Sequence, residues 1–393
     1  MENAFMTPKG ETAGLIVGID ASRNRSGGAI AHLKGIIDAF DVKLGIAQVH
    51  VWAFKSLLDG LPDRPWLFKH HHPMLEKSLF QQLWWQASIL KRDAERIGCH
   101  VLFATDASTL CNFHPLVVLS QDLLSYEPGV MQTYRLGRTR LRLEVIKRVQ
   151  NIAFRRAIGV LFLTEYARKL VQASCGNLST TALAPHGVDD AFRIPAPGLR
   201  THFQVDGNAI RCTYVSSADF YKHQWNVVKA IRLLRDQGIL VTLTLIGGGS
   251  GKARQLLDRT IAECGGAEWT TQLDFLKHSE LPAQLDHADI FVFASSCENL
   301  PVTLLEGMAK ALPIACSNRG PMPEVLGDGG EYFDPLDPTS IADSIGRLIA
   351  SPDRRKLLAT TAHERADTFT WSECSNRTFS FIRNSYFQYV TTQ

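Results

Sequence analysis

Long hydrophobic runs are missing from this 393-residue chain: no stretch approaches the ~20 apolar residues that a bilayer-spanning helix needs. Residues Met1 to Thr12 are polar and lack the apolar core of a signal peptide. The eight cysteines (Cys99, Cys111, Cys175, Cys212, Cys264, Cys297, Cys316, Cys374) are scattered, and no two form a CxxC pair. Most sit beside apolar residues, as small buried thiols do, which points to a reduced, cytoplasmic protein. A HExxH metal site and a plausible Ser/His/Asp triad are both absent. His70-His71-His72 precedes Pro73 as a tract rather than a spaced ligand set and reads as surface. No charge of one sign dominates, with 42 basic against 39 acidic residues. With 45% apolar, 21% charged and 9% aromatic residues, wholesale disorder is excluded. The length predicts two domains, since single cores stop growing near roughly 250–300 residues.

The near-neutral total hides an asymmetry. Residues 1–200 carry 24 basic and 17 acidic side chains, and residues 201–393 carry 18 and 22. Much of the excess lies between Arg135 and Arg156, where Arg135, Arg138, Arg140, Arg142, Lys147, Arg148, Arg155 and Arg156 face Glu144 alone. Leu141, Val145, Val149 and Ile152 recur there at spacings of four and three, which marks one apolar helix face. Such a helix can lie on an anionic membrane surface and make the protein peripheral to it, or can bring an anionic acceptor. The alternative is a helix packed on the core by its apolar stripe, with a solvated basic face.

Short apolar runs alternate with longer helical patterns, the signature of parallel βα units. The first half offers strands at Leu15–Ile19, Ile46–Val51, His100–Ala104, Leu116–Ser120, Gly159–Leu163 and Thr181–Ala184. A Pro/Gly-rich stretch, Arg193-Ile194-Pro195-Ala196-Pro197-Gly198, reads as the linker. The pattern then restarts at Cys212–Val215, Leu240–Ile246, Thr271–Phe275, Ile290–Ala294, Pro313–Cys316 and Tyr332–Phe333. Helical patterns lie between, including Lys222–Asp236, Lys252–Cys264 and Pro301–Ala311, and a last helix from Trp371 to Tyr389 offers Phe379, Phe381, Ile382 and Phe387 for burial. The expected division is an α/β domain over 13–195, a second over 205–370, and a C-terminal helix over 371–393.

Three segments carry chemistry. After Ile19-Asp20, a loop with Ser26-Gly27-Gly28 opens a helix at Ala29, where glycines let a ligand approach and the helix start attracts anionic oxygens. Gly247-Gly248-Gly249-Ser250-Gly251-Lys252 fails as a Walker A loop, because Ile246 takes the first glycine position and Ala253 replaces Ser/Thr. It also lacks the dinucleotide fingerprint, which leaves a flexible strand-to-helix turn at a sheet edge, lining a cleft. The third and strongest segment runs from Cys297 to Ala309. Glu298 follows a strand, and Pro301 suits the first helical turn, where its missing N–H is harmless. The free N–H groups near Val302 and Thr303 then form a phosphate cradle at the positive end of the helix dipole. Glu306 lies further along the same helix. Two such carboxylates can each accept hydrogen bonds from sugar hydroxyls, or can be an N-capping acid and a solvated glutamate.

Here the sequence resembles a family. Glu298-x7-Glu306, followed by Gly307-Met308-Ala309, is similar to the retaining GT-B glycosyltransferases of the group 1 (GT4-like) type. The run Pro313 to Val325, Gly327-Asp328-Gly329-Gly330 and Phe333-Asp334-Pro335-Leu336-Asp337-Pro338 continue the likeness. Upstream, Ala184-Pro185-His186-Gly187-Val188-Asp189 resembles the family's PNGVD segment, with His186 in place of Asn. Tyr214-Val215-Ser216 and Lys222-His223-Gln224 resemble the opening of its second domain. The resemblance implies two Rossmann-like domains facing across a cleft, with the C-terminal helix crossing back to the first.

It also implies roles. Glu298 would hold donor-sugar hydroxyls, Glu306 the ribose, and Lys222 the diphosphate. Backbone from Asn299, Leu300, Pro301, Val302 and Thr303 would hold sugar and phosphate. Gly247 would line the donor site, Leu276 and Lys277 would supply backbone to the base, and Gly27 and Gly28 would let diphosphate and acceptor approach the first domain. Asp122, after the strand ending at Ser120, would contact the acceptor or merely cap a helix. The family often carries an Arg six residues before its lysine; here that place is Ser216, so Lys222 and the helix dipole carry more of the leaving charge. No DxD occurs, so the expected reaction is metal-free and uses no cofactor besides the nucleotide-sugar donor. The expected enzyme moves a hexose to a hydroxyl of a glycan or lipid-linked glycan, with retention and without a nucleic-acid partner. Alternatives are a non-catalytic nucleotide-sugar or glycan-binding protein, a GT-B epimerase or hydrolase, and an NAD-dependent dehydrogenase.

Overall fold

The computed structural model describes residues 14–25, 27–133, 137–193 and 209–393. Ser26, Arg135 and the linker residues 194–198 lie outside them. The chain forms two compact units. The first takes the described residues within Met1–Tyr126 and Leu136–Gly187, together with Trp371–Gln393; the second takes those within Glu127–Arg135 and Val188–Thr370.

The first unit is built on β1 (Leu15–Asp20), β2 (Ile46–Trp52), β3 (Leu67–His70), β4 (Val101–Ala104), β5 (Leu116–Leu119), β6 (Gly159–Phe162) and β7 (Thr181–Leu183). All pair in parallel, in the order β3-β2-β1-β4-β5-β6-β7. Helices cover both faces, so β4, β5 and β6 are buried throughout and read as unbroken apolar runs. β3 was not expected. It is a short edge strand in which Lys69 and His70 interrupt the apolar pattern. Its presence splits the histidine tract: His70 ends the strand with Nε2 at 2.9 Å from His50 Nδ1, His71 is exposed, and His72 caps a turn by accepting the Met74 N–H. Only His71 matches the surface reading.

The second unit holds β8 (Ile210–Val215), β9 (Val241–Ile246), β10 (Thr270–Leu273), β11 (Ile290–Phe293), β12 (Ile314–Ser317) and β13 (Glu331–Phe333), again parallel, in the order β10-β9-β8-β11-β12-β13. In both units the chain winds outward from a central strand and then returns to that strand's other side. The switch points fall between β1 and β4 and between β8 and β11. Ligands of open α/β sheets bind outside the strand carboxyl ends at such points.

The last helix, Trp371–Thr391, packs within the first unit against the helix Gly27–Asp38 and against β4 and β6. Trp371 fixes the approach: a Cβ on Gly35 would lie 2.2 Å from its ring, and the ring stacks on His186 at 5.7 Å. Ser375 Oγ donates to the Ile36 carbonyl at 2.7 Å. Phe379 and Ile382 are fully buried, while Phe387 faces solvent.

The basic helix, Arg138–Arg156, does not pack on the core by its apolar stripe, as one of the two readings had it. Its buried face is Leu143, Gln150, Ala153 and Phe154, whereas Leu141, Val145 and Ile152 are exposed and Val149 is half-buried. Gln150 can face inward because its amide is satisfied there, with partners at Ser125 and Ser108.

Candidate active site

The second unit gathers most of the predicted residues at its switch point. β8 ends at Val215, and a short turn, Phe220–Lys222, brings Lys222 back toward the segment that follows β11. Lys222 Nζ pairs with Glu298 Oε1 across 76 residues of sequence, with both side chains largely buried, at 13% and 15% exposure. The ammonium also stands 5.0 Å from the centre of the Tyr221 ring, and the Tyr214 hydroxyl holds the Lys222 carbonyl at 2.9 Å. His223 takes a left-handed conformation (φ 48°) that lets the chain turn from Lys222 into the helix Gln224–Asp236. Its Nε2 lies 2.8 Å from Ser296 Oγ, and the Ser296 N–H donates to the Tyr221 carbonyl at 2.8 Å. The turn bearing the lysine is thus stitched to the loop bearing the glutamate.

The helix after that loop spans Val302–Ala309, with Pro301 one residue ahead of it as the cap. Leu304 and Leu305 are the first to bond back, both to the Pro301 carbonyl. The N–H groups of Val302 and Thr303 therefore stand at the open, positive end of the helix. Thr303 Oγ1 donates to the Val215 carbonyl at 3.3 Å, which ties this helix start to the end of β8. Asn299 and Leu300 form the turn between Glu298 and Pro301, with Leu300 buried.

Glu306 sits about one turn into the helix with its side chain 4% exposed. Its Oε1 lies 2.7 Å from Nε2 of His278, a half-exposed side chain in the turn after β10. Burial pushes the Glu306 carboxyl up, and the His278 bond opposes that. The same bond holds the His278 imidazolium above its ordinary range. His278 also packs on Phe192, ring centres 5.0 Å apart. The two acids therefore do not share a site partner: Glu298 faces a lysine and Glu306 a histidine. Sequence reasoning passed over His278 although it adjoins Leu276 and Lys277.

Ser216, in the place of the family arginine, receives the Gln224 amide on its carbonyl (2.8 Å) and its hydroxyl (3.0 Å). The glycine run packs against that segment and is not a flexible turn. Gly247, Gly248 and Gly249 have φ of 131°, 63° and 142°. A Cβ would lie 2.7 Å from the Ser216 backbone at Gly247 and 2.6 Å from Ala218 Cβ at Gly249. The Ala218 N–H donates to the Gly248 carbonyl at 2.8 Å. Leu276 is half-buried in the loop after β10, beside an exposed Phe275.

The first unit places Gly27 and Gly28 at the start of the helix Gly27–Asp38, beside its own switch point. Among the described residues, an added Cβ on either meets nothing within 4 Å. The approach to them is fixed by buried Asp20, which accepts from the Ser22 hydroxyl and the Gln86 amide at 2.6 Å, and by Asn24, 2.8 Å from the Thr105 hydroxyl. Asp122 follows β5 in the same unit. Its carboxylate accepts the Leu124 N–H at 3.0 Å in a loop rather than at a helix start, so the helix-cap alternative is not realised. Burial raises its pKa. Among the described residues, no cluster of three or more His, Cys, Asp or Glu has the arrangement of a metal site.

Two successive parallel-sheet units of this kind define a GT-B fold. Sucrose-phosphate synthase from Thermosynechococcus elongatus shares it with a TM-score of 0.76 and 17% identity over 96% of this chain and all of that one. HepE of Anabaena, solved in complex with UDP, gives 0.69 and 18%, over 96% and 99%.

Residues 200–365 match the family model of glycosyl transferases group 1. The O-antigen chain mannosyltransferase B of Escherichia coli is 25% identical over 167 residues, 42% of this chain and 44% of the relative. The chain spans about half the length of such curated relatives.

Proposed function

We propose that the protein is a glycosyltransferase that moves a hexose from a nucleoside-diphosphate sugar to a hydroxyl of a glycan or lipid-linked glycan, with retention and without a metal ion. The observation that carries this reading is the Lys222–Glu298 pair beside the open start of the helix Val302–Ala309, with buried Glu306 one turn on. Departure of a nucleoside diphosphate develops negative charge, which fixed donors stabilise without reorganising. Lys222 and the N–H groups of Val302 and Thr303 are such donors. Glu298, held by Lys222, accepts from sugar hydroxyls, and Glu306 accepts from the ribose. Gly247 and Ser216 shape the turn around the diphosphate, and backbone at Leu276 meets the base. The first unit supplies the acceptor side, with room at Gly27 and Gly28 and a polar group at Asp122. The nucleotide-bound structural relative supports the donor class.

The loss of the family cation at Ser216 favours one other reading, a non-catalytic nucleotide-sugar binder on the same scaffold. Thermal protection by UDP, GDP and dTDP, each against NAD, tests the donor site. One nucleoside diphosphate should protect, and Glu306→Ala should weaken that protection about tenfold, or ~1.4 kcal/mol. Protection by NAD alone would sink the reading. Turnover of the matching sugar nucleotide with a lipid-linked acceptor separates enzyme from binder, and loss of turnover in EDTA would refute the metal-free step.

A further inference from the structure

The basic helix Arg138–Arg156 displays its apolar stripe outward instead of packing it. Leu141, Val145 and Ile152 are 67%, 51% and 61% exposed and fall within an arc of about 40° at 3.6 residues per turn. Arg138, Arg142, Arg148 and Arg155 are exposed around them. The helix holds seven basic residues and one acid, Glu144, and Arg138, Arg142 and Arg148 form no ion pair among the described residues. Solvated surface helices do not keep aliphatic residues aligned in this way.

A second helix of the same unit adds aromatic side chains. Leu79–Ser88 exposes Phe80 (77%) and Trp84 (47%) one turn apart, next to exposed Leu79. The connections β3→β4 and β5→β6 run in the same direction along the sheet. Right-handed crossovers therefore put the two connections that carry these helices on one face, opposite the helix Gly27–Asp38, whose connection runs the other way. Both begin at the carboxyl edge of the sheet. The loop after β4 joins them: the Leu110 N–H donates to Gln86 Oε1 at 3.0 Å, and Gln150 Nε2 donates to Ser108 Oγ at 3.3 Å. Leu110 is itself partly exposed.

We propose that this helix layer of the first unit is a docking surface for an anionic lipid bilayer, with the arginines on the headgroups and Leu141, Val145, Ile152, Phe80 and Trp84 in the interfacial zone. Aliphatic and aromatic side chains rimmed by arginine match that zone. A nucleic acid or anionic glycan would leave the aliphatic ridge wet. A second copy paired by a two-fold axis would set arginines against arginines.

The test is co-sedimentation of the full chain with vesicles of phosphatidylcholine alone and of phosphatidylcholine mixed with phosphatidylglycerol. Binding should require the anionic lipid and weaken with added salt. Arg142→Gln with Arg148→Gln should lower the partition coefficient roughly 25-fold, at about fivefold per basic residue. Leu141→Ser with Ile152→Ser, and separately Phe80→Ser with Trp84→Ser, should weaken binding at every salt concentration. These exposed changes should leave the melting temperature unmoved. Lys222→Ala should bind vesicles like the parent, so failure of the donor site and failure of this surface are distinguishable. Equal binding to both vesicles, or variants that bind like the parent, overturns the proposal. So does concentration-dependent self-association that the serine variants abolish, which would assign the face to a second copy.

Discussion

The two switch points differ in how much the protein itself has already fixed. In the second unit Lys222 and Glu298 are paired, Glu306 is tied to His278, and Gly247 and Gly249 are pressed against Ser216–Ala218 in conformations reserved for glycine. In the first unit Gly27 and Gly28 have ordinary helical geometry, and no described residue lies within 4 Å of where a Cβ on either would stand. One end is preorganised and the other is left open. The difference fits a donor site, where charge must be met by groups already in place, and an acceptor side, where room is the requirement.

The largest expected effect breaks the preorganised end. Glu298→Gln should lower kcat by 10²–10³-fold, roughly 3–4 kcal/mol, because on the proposed reading it removes a grip on the sugar and releases the lysine that meets the leaving group. Lys222→Ala should do the same. Stopped-flow or steady-state turnover under saturating donor checks both, and normal kcat in either variant would remove these residues from the reaction.

A smaller effect sharpens the contrast between the glycines. Gly249→Ala should destabilise the second unit by about 2–4 kcal/mol, since φ 142° is closed to alanine and the new Cβ meets Ala218. Gly28→Ala should instead stabilise the protein by up to about 1 kcal/mol, because alanine suits a helix better than glycine. If ligand uses the open space there, turnover falls while stability rises. Denaturant titration paired with turnover reads both, and a destabilised Gly28→Ala protein would show that the space is not empty.

How much of this could be read beforehand follows from where the information lies. β4, β5, β6, β11 and β12 are short apolar runs, such as Ile290–Phe293, and a strand buried on both faces has to be written that way. The Pro301 helix start and its acids are equally local. β3 was hidden because an edge strand needs only one apolar face, and Leu67-Phe68-Lys69-His70 looks like loop. The orientation of the basic helix was hidden for a different reason. Its stripe of Leu141, Val145, Val149 and Ile152 is the stronger periodic signal, but Gln150 buries on the opposite face through bonds to Ser125 and Ser108, which lie 25 and 42 residues away. His278 carried no pattern at all; its partner is 28 residues on, and only the fold brings them together.

That histidine provides the finest test of the contrast. The bond to Glu306 raises the His278 pKa in the folded state. A raised value means that the folded protein binds the proton more tightly than the unfolded chain, so the pair stabilises the second unit fully below the unfolded value of about 6.5. The contribution is lost as the pH rises through the folded value. His278 is half exposed, so screening keeps its worth near or below about 1 kcal/mol. Unfolding midpoints measured across neutral pH should therefore decline in the parent and flatten in His278→Gln. A protonated His278 also competes with a ribose for Glu306, so nucleoside diphosphate should bind more tightly as the pH passes that same value. If the His278→Gln variant keeps the parent's pH slope in both stability and binding, the acid inside the helix answers to some other group, and its assignment to the ribose loses its partner in the free protein.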